Sequence, residues 1–393
     1  MSTTVDASVM RNANKRTVLG LIYQRDTISR ADISRTTGLN RATVSSLVDE
    51  LISGQFVREL GTGTSSGGRK PIILQFNAET GYLIGVDVQI THLTTVLINA
   101  RRQVLFEKRR DIELETQPLG QKQLTDIILE EIAATKQQCP PSPHGLMGVG
   151  VGLPGMVNHN KGHALYLPNL GIMDWNLKES LSFHETLPIF IDNDANCGAW
   201  SQYLTTRAPN QLFINAGIGI GVGIIINGQL YRGAHGIAGE AGHHAISSTG
   251  DDCHCGSVGC WEQYASERAL ARLLAEEGIS IALPLPAHFM AEATQKAQSG
   301  NPNYLNAFGR LAEKLSVGLV NLLNIFNPSV IYIGGTIAEA SPLVMPKIER
   351  LIAAQALMSN RRTTILPAAA DSVALGAAGL ALAQTIDLLP TIL

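Results

Sequence analysis

Gln211-Leu-Phe-Ile-Asn215 passes through Ala216 into Gly217-Ile-Gly-Ile-Gly-Val-Gly223, an apolar strand followed by a turn of alternating glycines. The pattern recurs: Gly148-Val-Gly-Val-Gly152 leads into Leu153-Pro-Gly155, Ile189-Phe-Ile191 into Asp192-Asn-Asp-Ala-Asn196, and Val330-Ile-Tyr-Ile333 into Gly334-Gly335. One strand followed by glycine is an ordinary turn. Repetition over two halves of a chain, each strand ending in Gly, Asp or Asn, describes an open α/β architecture with ligands at the strand ends.

Working outward, Tyr82-Leu-Ile-Gly-Val-Asp-Val88 reads as a strand, followed by apolar runs at 93–98 and 104–106 and a helix over 119–136. Hairpin strands, then a helix, then another strand make an α/β layer. The body therefore divides into lobes at 77–200 and 201–393, and the cleft between them suits a small ligand. Asp194 follows a strand and either caps the next helix or faces the cleft as a carboxylate that takes a hydrogen bond or proton from a sugar hydroxyl.

With 393 residues, 45% hydrophobic and 16% charged, the chain can bury a real core and is neither disordered nor coiled-coil. No apolar run approaches the roughly 20 residues of a spanning helix, and the N-terminus lacks a secretory h-region. A cytoplasmic protein without membrane partners is expected. Charge is uneven: residues 1–76 carry ten Lys and Arg against six Asp and Glu, net +4, whereas the rest carries 20 against 27, net −7. A basic head on an acidic body is the electrostatic pattern of a nucleic-acid-binding module joined to another function.

In that head, Val18, Leu19, Leu21 and Ile22 mark a helix ending near Asp26. Ser29-Arg-Ala-Asp32 opens a second helix over 30–37 as a capping-box variant, Gly38 makes the turn, Leu39 plugs the core, and Asn40 caps a third helix reaching Ser53. This is a helix-turn-helix, and its last helix would present Asn40, Arg41, Thr43, Ser45 and Ser46 to the major groove. Two strands around a Gly/Ser-rich tip ending in Arg69 and Lys70 complete a wing that meets phosphate or the minor groove, making 1–76 a winged helix-turn-helix.

Of five cysteines, three lie in Cys253-His-Cys255-Gly-Ser-Val-Gly-Cys260, ten residues after His243. One imidazole and three thiolates form the donor set of a closed structural zinc site, with buried free thiols as the plain alternative and His244 and His254 as rival ligands. Glu240 and Glu262 flank the cluster, so a metal would hold in register two acids able to bind sugar hydroxyls; surface ion pairing is their other reading.

The run from Gly217 through Gly239-Glu-Ala-Gly-His243, followed by Cys253-x-Cys-Gly-x-x-Gly-Cys-Trp-Glu262, resembles the signature of the ROK family of bacterial sugar kinases and sugar-responsive repressors. The likeness covers nearly the whole chain, including the head that only the repressor branch carries. The wing Ser65-Ser-Gly-Gly-Arg-Lys-Pro71 and Thr43-Val-Ser-Ser46 look most like xylose repressors. The resemblance implies a two-lobed actin/hexokinase-like, ribonuclease H-like body, zinc on His243, Cys253, Cys255 and Cys260, and a sugar site lined by Asn169, Asn193, Asp194, Glu240, His243 and Glu262.

Kinases of the family keep a Gly-Gly-Thr phosphate turn after the first-strand aspartate, where this chain has Asp87-Val-Gln-Ile-Thr91. They also place Thr where Ala216 stands and an acid where Asn99 stands. Side chains at 88–90 deny phosphate the close backbone approach that glycine permits. With Asp194 retained, sugar binding without phosphoryl transfer is expected, so no catalytic residue is assigned. The reading is a transcriptional regulator, a homodimer or dimer of dimers, that binds operator DNA and a sugar effector, D-xylose favoured and D-glucose next, selected near Pro154, Asn169 and Trp175. The rivals are an ATP-dependent sugar kinase and a protein-binding zinc adaptor.

Overall fold

The computed structural model describes residues 7–62, 70–112 and 119–392. Its head is built on helices Ala7–Gln24, Arg30–Thr37 and Arg41–Ser53. The first starts earlier than the apolar stripe predicts, because its opening turns face solvent and contain no buried side chain before Lys15. The Ser29 hydroxyl accepts from the Asp32 N–H at 3.2 Å, and Asn40 Oδ1 accepts from the Thr43 N–H at 2.8 Å. Gly38 sits between them at φ 74°, in the left-handed region that favours glycine. Strands Val57–Thr62 and Ile72–Phe76 pair antiparallel, and Ile28–Ser29 adds an edge that periodicity does not reveal. The wing tip at 63–69, Arg69 included, lies outside the described residues.

The body contains two five-stranded sheets of identical topology. In the first the order is Ile189–Asn193, Leu146–Leu153, Tyr82–Val88, His92–Asn99, Val104–Asp111, the first three parallel and the last two continuing as antiparallel hairpins. In the second, Thr364–Pro367, Val330–Gly334 and Gln211–Ala216 are parallel, and Ile220–Ile226 and Gln229–Leu230 continue antiparallel. The repeated strand-glycine pattern is thus a repeated sheet. Strand Val104–Asp111 runs five residues beyond the apolar run at 104–106. It is an edge strand whose Lys108 and Arg110 pair with Glu131 and Glu130 of helix Gln121–Lys136 at 2.8 Å each, so its outer half is polar. A three-stranded sheet, Met156–Asn158, His163–Leu167 and Ile172–Trp175, is an insertion not predicted from the sequence.

Two helices lie between the sheets. Asp194–Thr206 packs on the second sheet, Ser372–Ile392 on the first, and the two pack on each other. The backbones touch: a Cβ on Gly150 would lie 2.0 Å from the Ala377 carbonyl oxygen, one on Gly223 2.0 Å from that of Ala195, and one on Gly376 1.7 Å from that of Cys197. Helix Ser372–Ile392 also packs on the first helix of the head, and one hydrophobic core joins Val18, Leu19, Leu47, Leu51 and Phe56 to Leu83, Val96, Ala374 and Ala378. Among the described residues no helix is long and apolar enough to cross a membrane.

Gly150→Ala is expected to force these backbones apart and cost about 1–3 kcal/mol, the usual penalty of overpacking. Urea unfolding measures it, and an unchanged midpoint would mean that the helix does not seat on this strand.

Candidate functional site

The carboxyl ends of both sets of parallel strands open on one cavity of about 310 Å³. Asn169, Asn193, Asp194, Glu240, His243 and Glu262, the six residues expected at a sugar, all line it. So does Pro154, whereas Trp175, 2% exposed, belongs to the first lobe's core and not to the cavity wall.

Asn193, Asp194 and Glu262 are held by neighbours. Asp194, the first residue of its helix, accepts from the Ala195 N–H and from Asn215 Nδ2, both at 2.7 Å. It thus both begins a helix and faces the cleft; Asn193 is the residue that caps, its Oδ1 accepting from the Asn196 N–H at 3.1 Å. Glu262 Oε2 accepts from the Ile220 N–H at 2.9 Å. Burial raises Asp194 to about 6 against those hydrogen bonds, and burial with the charges of Asp194 and Glu262 raises Glu240 to about 7. Such carboxyls exchange protons and hydrogen bonds readily near neutral pH.

The lobes are tied beside this group. Arg232 follows strand Gln229–Leu230 and grips Asp192 of the first lobe with two bonds, 2.8 and 2.6 Å. Neither this pair nor the Asn215–Asp194 bond is legible in the sequence, because each joins residues of different lobes. At the first-strand turn, Gln89 Nε2 donates to Asp87 Oδ1 at 2.6 Å. Burial pushes Asp87 up to about 8, opposed by that bond and aided by the Asp194 charge.

Next to Glu240 and Glu262, the ligand atoms of His243, Cys253, Cys255 and Cys260 lie within 4.8 Å of one another. His243 Nδ1 is 3.6 Å from Cys253 Sγ, and Cys255 Sγ is 3.6 Å from Cys260 Sγ. A tetrahedral ion with metal–sulfur bonds of about 2.3 Å sets its sulfurs about 3.8 Å apart, so the cluster fits a metal. His244 turns away, its Nε2 3.4 Å from Asn321 and its ring against Trp261. His254 Nδ1 stands 3.8 Å from Glu262 Oε1 and forms an overlapping group with His243, Cys253 and Glu262. The Cys₃His set has the softer donors and leaves Glu262 to the cavity.

On the head, Asn40, Arg41, Ser46 and Lys70 are exposed and Thr43 and Ser45 half-buried. Ser46 Oγ accepts from Arg11 at 3.1 Å, which the helical pattern alone does not reveal. The acids of this helix are neutralised from behind, Asp49 by Arg30 at 2.8 Å and Glu50 by Lys15 at 2.6 Å. Its N-terminal half, with the positive end of the helix dipole and Arg41, is left cationic.

The model of the ROK family matches residues 83–384. The chain belongs to the ROK family. The ROK body is thus the two-sheet unit, and the head precedes it. The chain is 34% identical over 343 residues to a xylose repressor of Bacillus subtilis, 86% of each chain being covered. It superposes with a TM-score of 0.79 and 26% identity on a ROK family transcriptional regulator described as a homologue of the E. coli MLC protein, covering 98% of both chains. A ROK glucokinase from Streptomyces griseus, solved with glucose and AMPPNP, gives a TM-score of 0.66 at 27% identity, over 76% of this chain and 99% of that one.

A pH test follows from Asp87. With its carboxyl raised from 3.8 to about 8, the folded chain keeps a proton that the unfolded chain has lost between those values. The contribution is complete below about pH 4 and disappears as pH rises through 8. Asp87→Asn is therefore expected to gain urea resistance relative to the parent on going from pH 5 to pH 8. A difference that stays constant would mean that Asp87 is ionised throughout.

Proposed function

We propose that the chain is a sugar-responsive, DNA-binding transcriptional repressor of carbohydrate-utilisation genes, with D-xylose as the favoured effector and D-glucose next. One observation carries this reading: a basic head of three helices and a small antiparallel sheet shares a continuous hydrophobic core with a ROK body whose cleft is lined by converging polar side chains. The likeness to a xylose repressor and to a full-length ROK regulator supports it.

In this reading Asn169, Asn193, Asp194, Glu240, His243 and Glu262 bind the sugar hydroxyls. Zinc on His243, Cys253, Cys255 and Cys260 holds His243 and Glu262 in place as a structural ion. Asn40, Arg41, Thr43, Ser45 and Ser46 read the major groove, and Arg69 and Lys70 meet the backbone or minor groove. A homodimer, or a dimer of dimers, sets two heads on a pseudo-palindromic operator. The likeness to a glucokinase and the retained Asp194 favour one second reading, an ATP-dependent sugar kinase. Val88, Gln89 and Ile90 in the first turn weigh against it, so the body is read as a receptor and not an enzyme.

The path from cleft to head is physical. Asp194 begins the helix that packs on Ser372–Ile392, which packs on the head's first helix. Arg101, in the turn of the body's edge hairpin, donates to the carbonyls of Tyr23 at 3.0 Å and Arg25 at 3.2 Å and stacks over the Tyr23 and Phe76 rings. His144 Nε2 lies 2.8 Å from the carbonyl oxygen of Gly54, the C-cap of the recognition helix, and its ring stacks on Phe56. A sugar that prefers one arrangement of the lobes shifts the head by this route only to the extent that it binds the two arrangements unequally.

Fluorescence anisotropy of zinc-replete protein on its own upstream DNA, at fixed salt, tests the function. Tight binding weakened by one sugar of a panel containing D-xylose and D-glucose is expected, without sugar-dependent ADP production. ADP production without specific DNA binding would put the kinase first. Coupling has its own test: Arg101→Ala should keep operator affinity within about threefold, yet lose most of the sugar response. A variant that responds as the parent does would remove Arg101 from the path.

A further inference from the structure

The second sheet carries, at the ends of two neighbouring parallel strands, the turns Gly217 and Gly335-Thr336. Gly335 has φ 73°. Beside them starts the ten-residue helix Glu267–Glu276, capped by Ser266. Glycine turns at strand ends next to the positive end of a helix are the common physical basis of an anion pocket. Here the pocket holds a carboxylate of the chain itself. The Glu267 N–H donates to the Gly217 carbonyl at 2.9 Å, and the Thr336 hydroxyl donates to Glu267 Oε1. A Cβ on Gly217 would lie 3.2 Å from Thr336 Oγ1 and 3.6 Å from Glu267 Oε1, so the side-chain pair rests directly on the turn. Glu267 is 6% exposed.

We propose that Glu267, clamped by Thr336 over Gly217, is the specificity determinant that keeps nucleoside polyphosphates out of the cleft. The inference rests on reading the body as a sugar receptor and names how that receptor rejects the most abundant anions of a kinase-shaped cleft. A buried carboxylate acts twice: it fills the space of a phosphoryl oxygen, and its charge repels a polyanion where few waters screen it. Arg109 is the cation that faces this end of the cavity, and its Nε is already engaged by Asp111 Oδ1 at 3.1 Å. Glu339 lines the same end and adds a second negative charge. The first-strand turn is closed in the same manner by Gln89 on Asp87.

The experiment titrates the full-length parent, Glu267→Ala and Glu267→Gln with MgATP and separately with inorganic tripolyphosphate, by isothermal calorimetry. Operator anisotropy and its sugar response are measured on the same samples to show that each is folded. No saturable binding to the parent is expected, and Glu267→Ala should bind both probes at least tenfold more tightly, with Glu267→Gln between. Saturable sub-millimolar binding of ATP to the parent overturns the proposal. So does a folded Glu267→Ala that gains nothing, or that gains ATP without tripolyphosphate, since the carboxylate would then not act on phosphate. Failure of the receptor reading shows separately, as loss of the parent's sugar response.

Discussion

Where helix Ser372–Ile392 crosses the first sheet, and where Asp194–Thr206 crosses the second, main chain lies on main chain with no side chain between. Strand positions 150 and 223 and helix position 376 are glycine because a single methyl group would intrude to 2 Å or less of a carbonyl oxygen. Contacts of that kind do not deform gradually, since packed backbones have no soft side chain to absorb a displacement. A change in the angle between the sheets therefore moves the helices as rods.

The consequence for function lies in what the rods carry. One starts at Asp194, on the cavity wall, and the other packs against the head's first helix. The head is not a module on a tether: it shares one hydrophobic core with the first sheet and the long helix, and Arg101 and His144 fasten it at two further points. A body that shifts between two lobe arrangements has to reorient such a head, whereas a flexibly linked head would hardly respond.

The cavity, in a fold similar to that of a ROK glucokinase, has two chemically different halves. One half of it is lined by an array of carboxyls and amides, with a metal-competent cluster beside it. Its other half is occupied by the chain's own polar groups, Gln89 on Asp87 and Thr336 on Glu267. At the first-strand turn, desolvation raises the buried Asp87 to about 8, so that this carboxyl keeps its proton near neutral pH.

Local chemistry was written in the sequence. The caps Ser29 and Asn40, the Gly38 turn and the glycine-ended strands each depend on residues a few positions apart, and the His/Cys cluster on residues within one stretch of the chain; the structure has them where the pattern implied. What joins distant segments was decided only by the tertiary structure. Trp175 was expected near the sugar and is core, the edge strand to Asp111 is polar because a helix supplies its partners, and the Arg232–Asp192 and Thr336–Glu267 pairs span 40 and 69 positions. A side chain's type and neighbours show what it can bind; which of its possible partners it meets depends on how two sheets are brought face to face, and that is set by packing summed over the whole chain.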